Sequence, residues 1–238
     1  MTNAAKKPLL TIKSLKEQVY EYLREELHKG HLTPGSVINM DETSRKLGVS
    51  KTPLRDALLQ LETESFVTIL PRRGVVVRML TFRDIKDYYE IIGNLEASAL
   101  MSSCENLKEP VVKNMEKLCE AMTRALSDNN FELYYDRNLK FHNSFLDACG
   151  NATLVRIVNT LKKRLYDFPR PEAWLKDWEV ASCAEHEALV DEIRRGRFEE
   201  AARLLRDVHW SYRVQEGFIL RYYARAGEPS GAAEPPKS

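Results

Sequence analysis

Cysteine is scarce in this 238-residue chain, and the four thiols form no ligand or disulfide pattern. None is spaced as Cys-x-x-Cys, and all fall in segments with helical periodicity. They are Cys104, Cys119, Cys149 and Cys183. This distribution favours buried, reduced thiols over disulfides or a thiolate zinc site.

Long hydrophobic runs are also missing. No stretch approaches the roughly 20 apolar residues that a membrane-spanning helix needs. The opening residues, MTNAAKKPLLTIK, lack the apolar core of a secretory signal. We therefore expect a cytoplasmic protein with no membrane partner.

What the chain does have is length for two domains and an uneven charge. With 43% hydrophobic residues, 238 residues can bury two modest cores. The net charge of +1 divides unevenly, since residues 1–80 contain 13 Lys and Arg against 9 Asp and Glu, whereas residues 81–225 contain 22 against 24. The basic N-terminal part is the part expected to meet a polyanion.

The first eighty residues predict a winged helix-turn-helix. A helical pattern begins after Ser14 and stops at Gly30, and DETSRKLGVS predicts a short second helix that ends at Gly48. In KTPLRDALLQLE, Thr52 is the expected cap and Pro53 suits the first helical position. Two β-branched runs, FVTIL and VVVRML, follow on either side of PRRG and predict a hairpin.

Five polar side chains of this part are the predicted DNA contacts. Lys51, Thr52 and Arg55 lie outside the apolar stripe of the second helix of the pair, near its N-terminus, where a helix can read the major groove. Lys51 suits phosphate, whereas Arg55 can bond O6 and N7 of guanine as a fork. Arg72 and Arg73 occupy the hairpin tip and would touch backbone or the minor groove.

The remainder predicts an all-α antiparallel helical bundle, so the fold class is mainly α. The expected domains are residues 1–79 for DNA binding, 80–225 for the bundle, and 226–238 as a disordered tail rich in Pro, Gly and Ala. Breaks at Pro110, Asn129-Asn130, Gly150-Asn151, FPRP and Gly196 divide the bundle. The predicted helices are 82–104, 110–127, 131–149, 152–167, 172–195 and 198–225.

Three histidines and one asparagine of the bundle form a candidate metal site. His186 lies ten residues before Gly196 and His209 thirteen after it, so in a helical hairpin they share nearly one level. Asn138 and His142 are four residues apart and share one helix face. Three imidazoles and an oxygen suit zinc, nickel or a similar divalent ion. Taken singly, each histidine is also a candidate for an ordinary hydrogen-bonded core residue.

The run GVSKTPLRDALLQLE, with PGSVI before it and PRRGVVV after it, closely resembles the GntR family of bacterial transcription regulators. The helical part resembles the FCD effector domain of the FadR-like branch of that family. The resemblance implies a homodimer on a short palindromic operator, and a repressor that a small metabolite releases. Lys51 stands where arginine is usual and Ser65 where glycine is usual, so Lys51 is expected to contact phosphate rather than a base.

The same resemblance implies a metal site and an effector. Metal-containing members hold a divalent cation with an Asp-x-x-x-His pair and two later histidines, and by position Asn138 replaces that aspartate. An Arg-x-x-Glu pair usually anchors a carboxylate ligand, but this chain has Gly93-Asn94-Leu95-Glu96. Arg164 and Arg213 are the candidate replacements, and the expected effector is an organic acid.

Two other functions compete with a regulator. A metal-dependent hydrolase could use the same histidines, because an open metal position also serves catalysis. The chain, however, has no His-Glu-x-x-His, Gly-rich phosphate loop or nucleophile elbow. A constitutive architectural DNA-binding protein would leave the helical part without a purpose. We therefore expect a ligand-responsive regulator and no enzymatic activity.

Overall fold

The computed structural model describes residues 13–166 and 175–226. The described chain divides into two compact units, of which the first spans residues 13–79 and the second begins at Leu80. The structural elements follow in chain order: α1 (Leu15–His28), β1 (Val37–Ile38), α2 (Met40–Leu47), α3 (Lys51–Thr63), β2 (Val67–Leu70), β3 (Gly74–Val77), α4 (Phe82–Ser103), α5 (Glu109–Ser127), α6 (Phe131–Leu146), α7 (Ala152–Tyr166), α8 (Lys176–Arg194), α9 (Phe198–Leu204), a π-helix (Leu205–His209) and α10 (Tyr212–Ala226).

The first helix of the N-terminal unit begins where its sequence supplies a capping box. Ser14 Oγ accepts from the backbone N–H of Glu17, and the Glu17 carboxylate accepts from the backbone N–H of Ser14. The apolar face of α1 is buried and packs against α3. This packing forms the core on which the helix pair is built.

The helix-turn-helix pair is α2 and α3. Asn39 caps α2 by accepting from the N–H groups of Asp41 and Glu42, and Gly48 ends it with φ of 65°. The cap of α3 differs from the prediction: Ser50 is the N-cap residue, and Thr52 lies inside the first turn. Ser50 makes no side-chain cap bond. Both Ser50 and Thr52 carry a hydroxyl group, so residue type alone did not show which of them is the N-cap.

The hairpin forms as predicted, and a third strand joins it. The sheet order is β1-β3-β2, antiparallel throughout, with Val37 opposite Val76 and Leu70 opposite Gly74. The Pro-Gly pair in LTPGSVI predicts only a turn, because a two-residue strand has too few positions to show alternation. The N-terminal unit is thus a winged helix-turn-helix.

All the regular elements in the described part of the second unit are helices. Helix α5 packs against α6 and α8, and α4 packs against α7, α9 and the π-helix. Thr81 and Asp84 form a capping box at the start of α4. An all-α bundle follows the winged unit, which confirms the predicted fold class.

The predicted single helix 198–225 is wrong. Helix α9 stops at Leu204, the π-helix follows, and α10 begins only at Tyr212. The N–H of Trp210 donates to the carbonyl of Leu205 at 2.9 Å, which closes the wide π turn. The sequence has no proline or glycine at this break, so the pattern of polar and apolar residues over 198–225 did not predict it.

Several predictions fall outside the described residues. They concern residues 1–12, where no secretory core was expected, and the FPRP break. They also concern residue 167 of the predicted helix 152–167, the first residues of the predicted helix 172–195, and the tail from residue 227.

Candidate functional site

The exposed face of α3 carries the predicted DNA contacts. Leu54 and Leu58 are buried against the core, which leaves Lys51, Thr52 and Arg55 exposed near the helix N-terminus. Lys51 Nζ lies 2.5 Å from Asp41 Oδ1, so its charge is already partly compensated. The hydrogen bond and charge of Lys51 hold the pKa of Asp41 below its usual value.

The wing brings two further cations together at its tip. Strands β2 and β3 are joined through Pro71, Arg72 and Arg73, and Arg72 adopts φ of 62°. Arg72 and Arg73 are both exposed. The left-handed conformation of Arg72 closes the turn, in which the N–H of Arg73 donates to the carbonyl of Leu70 at 3.0 Å, and Gly74 follows with φ of 94°.

The structure brings the three histidines of the bundle together. His142 on α6, His186 on α8 and His209 at the end of the π-helix each offer a ring nitrogen within 4.8 Å of the others. His142 Nε2 and His186 Nε2 are 3.3 Å apart. We call these three residues the histidine cluster. His142 and His186 are fully buried, and His209 is partly buried.

Two carboxylates orient the imidazoles. Glu96 Oε2 lies 2.8 Å from His142 Nδ1, and Glu185 Oε2 lies 2.7 Å from His209 Nδ1. Burial lowers the pKa of His142 to about 4 and that of His186 well below its usual value. Neutral His142 therefore donates Nδ1–H to Glu96, and the lone pair of Nε2 is directed to the other histidines.

Glu96 is held in a buried ion pair that the sequence pattern did not predict. It is fully buried and pairs with the buried ammonium of Lys162, while Trp210 Nε1 donates to its Oε2 at 2.8 Å. Burial alone would raise the pKa of Glu96, but His142 and Lys162 outweigh it and hold the pKa well below its usual value. A charged residue on the apolar stripe of α4, four residues after Ile92, was the available clue.

Asn138 lies one turn before His142 on the same face of α6. It is 6% exposed, and its Oδ1 is buried with no hydrogen-bond partner within the described residues. A buried oxygen without a partner, one helical turn from His142 and on the same cavity wall as His209, is the kind of group that a metal ion could engage. Two nitrogens bound to one tetrahedral zinc would also lie about 3.3 Å apart, as His142 and His186 do. The residues present therefore fit a divalent ion.

A cavity of about 730 Å³, which includes its open mouth, adjoins the cluster. Asn138 and His209 belong to its wall, so a molecule in the cavity can reach the candidate metal ligands. Most of the other described lining residues are aromatic. The described wall consists of Tyr89, Phe131, Tyr134, Tyr135, Asn138, Leu165, Tyr166, Trp178, Glu179, Ser182, Glu185, His209, Trp210, Gln215, Tyr222 and Tyr223.

The two arginines predicted to anchor an effector do not line this cavity. Arg164 is buried at 2% exposure, and Arg213 is exposed on α10. Both residues lie on helices that contribute neighbouring side chains to the wall, Leu165 and Gln215. Helical periodicity gives the position of each arginine along its helix, but it does not establish that the side chain points toward the cavity.

None of the described helices is long and apolar enough to cross a membrane.

Comparison with known proteins gives two family matches in one chain. Residues 15–77 match bacterial regulatory proteins of the gntR family, and residues 87–209 match the FCD domain. A helix-turn-helix regulator from the TAR-I ttuE-ttuC' intergenic region of Agrobacterium vitis is 31% identical over 55% of this chain and 78% of its own length. The transcriptional repressor GlaR of Escherichia coli is 23% identical over 83% of this chain and 88% of its own.

A solved structure has the same fold. The structure of Escherichia coli McbR/YncC matches with a TM-score of 0.66 at 22% identity, and the match covers 90% of this chain and 99% of that one. The FCD match spans more than half of the present chain, and the gntR match covers its winged unit. The chain therefore belongs to the GntR family of bacterial transcription regulators, with an FCD domain, and is a DNA-binding regulator rather than an enzyme.

Proposed function

We propose that this regulator is a repressor that leaves its operator when a small molecule enters the cavity of the helical unit. One observation carries the proposal: His209, which belongs to the histidine cluster, also lies in the cavity wall, together with the proposed ligand Asn138. A molecule bound there would therefore touch groups whose order depends on the metal. Repressors among the relatives, such as GlaR, support the sign of regulation.

The exposed cations of the winged unit are the proposed DNA contacts. Arg55 reads a base, while Lys51, Arg72 and Arg73 hold phosphates, and Thr52 adds a hydroxyl at the helix start. One helix-turn-helix reads only a few base pairs, so useful specificity needs two half-sites. We infer a homodimer on a palindromic operator, which acts in the cytoplasm where the operator DNA lies.

The helical unit supplies the proposed metal site. Asn138, His142, His186 and His209 would hold zinc or nickel, with further positions open to water or an effector. When bound, the ion would supply positive charge and order the three elements that carry its ligands, α6, α8 and the π-helix. The chain itself supplies the orientation, because Glu96 and Glu185 fix the Nδ1 side of His142 and His209.

Without an ion, the same histidines can form a hydrogen-bonded core. His186 Nε2–H would then donate to His142 Nε2 at 3.3 Å, and His186 Nδ1 would remain buried with no partner in the described structure. His186 Nδ1 has no such partner in either arrangement, whereas an ion would give the buried Asn138 Oδ1 a partner, and this favours the metal-bound arrangement.

The regulator proposal is tested with the full-length protein and a pool of random DNA. We expect the selected sequences to be palindromic and the protein–DNA complex to contain two chains by light scattering. Small molecules that raise the melting temperature should then release that DNA. Selected sites without symmetry, or a monomer bound to one half-site, would contradict the dimeric repressor. A stabilising compound that leaves DNA affinity unchanged would contradict release by effector.

A further inference from the structure

We propose that Gln215 on α10 is a positioning residue of the histidine cluster, because its amide holds Glu185 and, through Glu185, the ring of His209. This inference rests on the proposed function, in which His209 is a metal ligand. It also extends the site beyond the FCD match, which ends at residue 209. Helix α10 begins at Tyr212, so Gln215 lies outside that match.

Trp178 fixes the direction of the Gln215 amide. Gln215 is buried at 3% exposure, and its Oε1 accepts from Trp178 Nε1 at 2.9 Å. An indole N–H donates and does not accept, so the oxygen of the amide must face Trp178. The Nε2 end of the amide, with its two N–H donors, is thereby directed away from the indole.

Both donors of Gln215 Nε2 act next to His209. One partner is Glu185 Oε1 at 2.9 Å, and the other is the carbonyl of Val208 at 3.2 Å. Glu185 uses its second oxygen, Oε2, for His209 Nδ1 at 2.7 Å. Val208 immediately precedes His209 on the π-helix. A single amide therefore supports both the carboxylate that bonds to the imidazole and the backbone that carries the imidazole.

The spacing along α8 places two partners of Gln215 on one helix face. Trp178 and Glu185 are seven residues apart, which is close to two full helical turns. Because Gln215 bonds to both, α10 is attached to α8 at two levels. Trp178 also stacks on Phe218 and meets Tyr222 edge to face, each with ring centroids 5.8 Å apart. These contacts keep α10 in register with α8, so the amide is held in place.

Glu96 shows the same division of a carboxylate. One of its oxygens pairs with Lys162, and the other lies at His142 Nδ1. In both carboxylates a second donor occupies one oxygen, so the other oxygen is left to define the direction of the imidazole. Gln215 thus does for Glu185 what Lys162 does for Glu96, but it brings no charge.

This chain of hydrogen bonds lies along the cavity. Four of its residues belong to the described wall, namely Trp178, Gln215, Glu185 and His209. A molecule in the cavity would therefore lie against the groups that set the direction of a candidate metal ligand. Gln215 is the residue at which the cavity and the histidine cluster meet.

Exchange of the His209 Nδ1 proton tests the inference without metal. Histidine-selective NMR of the full-length, metal-free protein measures it at about pH 8, where histidines are neutral. We expect slow exchange in the wild type and several-fold faster exchange in Gln215→Met, which keeps the length of the side chain but removes both donors. An unprotonated or rapidly exchanging Nδ1 in the wild type would overturn the inference.

Arg221→Met is the matched control. Arg221 also joins α10 to α8, since it pairs with Asp177 at 2.5 Å, but neither residue belongs to the described wall. Arg221→Met should leave the exchange of the His209 proton unchanged. Equal acceleration in Gln215→Met and Arg221→Met would mean that Gln215 only attaches α10, which overturns its role as a positioning residue.

Zinc affinity gives a second readout. Gln215→Met should bind zinc about tenfold more weakly than the wild type in calorimetric titration, as is common for groups that orient a metal ligand. Arg221→Met should bind zinc as the wild type does, and melting curves show whether each variant is folded. The wild type gives a check that needs no variant, because both side-chain amide protons of Gln215 should exchange slowly. Rapid exchange of either proton would overturn the proposed bonds.

Failure of this inference differs from failure of the proposed function. If the wild type binds no zinc after reconstitution, but Gln215→Met still accelerates exchange at His209 Nδ1, Gln215 positions His209 and the metal site is wrong. If zinc binds and Gln215→Met changes neither zinc affinity nor proton exchange, the metal site stands and the role of Gln215 is wrong.

Discussion

Gly93 leaves the space that Trp210 occupies. A Cβ built on Gly93 would lie 2.9 Å from Trp210 Cβ and 3.4 Å from Arg206 Cα, closer than packed carbon atoms approach. The family resemblance implies arginine at the position of Gly93, and an arginine there would collide with Trp210 in its present place. Trp210 in turn donates to Glu96, so the missing arginine and the buried tryptophan are two parts of one arrangement.

Gly93→Ala should therefore destabilise the protein by about 1–3 kcal/mol, because the added methyl group must displace Cβ and backbone atoms rather than a flexible side-chain end. Gly217→Ala on α10 is the matched control, since nothing lies within 4 Å of its Cβ. It should be neutral or stabilise by up to about 1 kcal/mol, as alanine favours helix. Chemical denaturation measures both. Equal stabilities of the two variants would mean that Trp210 does not pack on Gly93.

Glu96→Gln should weaken zinc binding about 10- to 100-fold, because Glu96 orients His142 through Nδ1. It should also destabilise the fold by about 3–5 kcal/mol, because Lys162 would be left as an unpaired buried charge. The double variant Glu96→Gln with Lys162→Met removes that charge and should recover stability without recovering zinc affinity. Glu90→Gln, on the exposed face of α4, is the control. Recovery of both properties together would show that Glu96 acts only through stability.

Local chemistry explains which elements could be predicted. The helix start after Ser14, the helix start at residue 82 and the helix end at Gly48 depend on residues within a few positions, and the structure has each of them. The meeting of the histidines could be predicted, because counting residues outward from the turn at Gly196 gives the level of each side chain in a helical hairpin. Each of these features depends on a short segment of the sequence.

Long-range packing explains what the sequence concealed. The π-helix that follows α9 packs against α4, and Trp210 meets Gly93 there, more than a hundred residues earlier in the chain. The ion pair of Glu96 and Lys162 likewise joins α4 to α7. The sequence also could not show whether an arginine faces the cavity, because a shift of one residue along a helix rotates the side chain by about 100°.

Arg55→Ala should cost about 1–3 kcal/mol on the selected operator and relax the base preference at one position, because it would remove a forked bond to guanine. Within the described residues Arg55 forms no ion pair, whereas Lys51 already contacts Asp41. Lys51→Ala should weaken all sequences alike and lower the salt slope by about one. Fluorescence anisotropy against operator and random DNA separates the two effects, with Arg156→Ala on α7 as control. An unchanged base preference in Arg55→Ala would mean that α3 reads the operator with other residues.

A fragment of residues 80–225 should fold alone and retain ligand binding without DNA binding. The expectation follows from the capping box at Thr81 and from the separate core of the helical unit. Circular dichroism and thermal denaturation measure its cooperativity, and the full chain is the reference. A fragment that melts without a cooperative transition would show that the proposed domains 1–79 and 80–225 depend on each other.

The candidate metal site makes a prediction of opposite sign for two kinds of substitution. Asn138→Asp should tighten zinc binding, because a carboxylate adds a charge to a shell of three neutral imidazoles and the buried Oδ1 of Asn138 has no competing hydrogen bond in the described structure.

His186→Ala or His209→Ala should abolish stoichiometric binding and remove the rise in melting temperature that zinc gives. Without metal, Asn138→Asp should instead destabilise the fold, since an unpaired carboxylate would be buried at a site only 6% exposed. Metal analysis and melting curves of untagged protein, with and without zinc or nickel, measure all of these effects. If the wild-type protein remains substoichiometric after reconstitution, and Asn138→Asp is destabilised equally with and without metal, the histidine cluster is a hydrogen-bonded core. The effector would then be held by the side chains of the cavity wall alone.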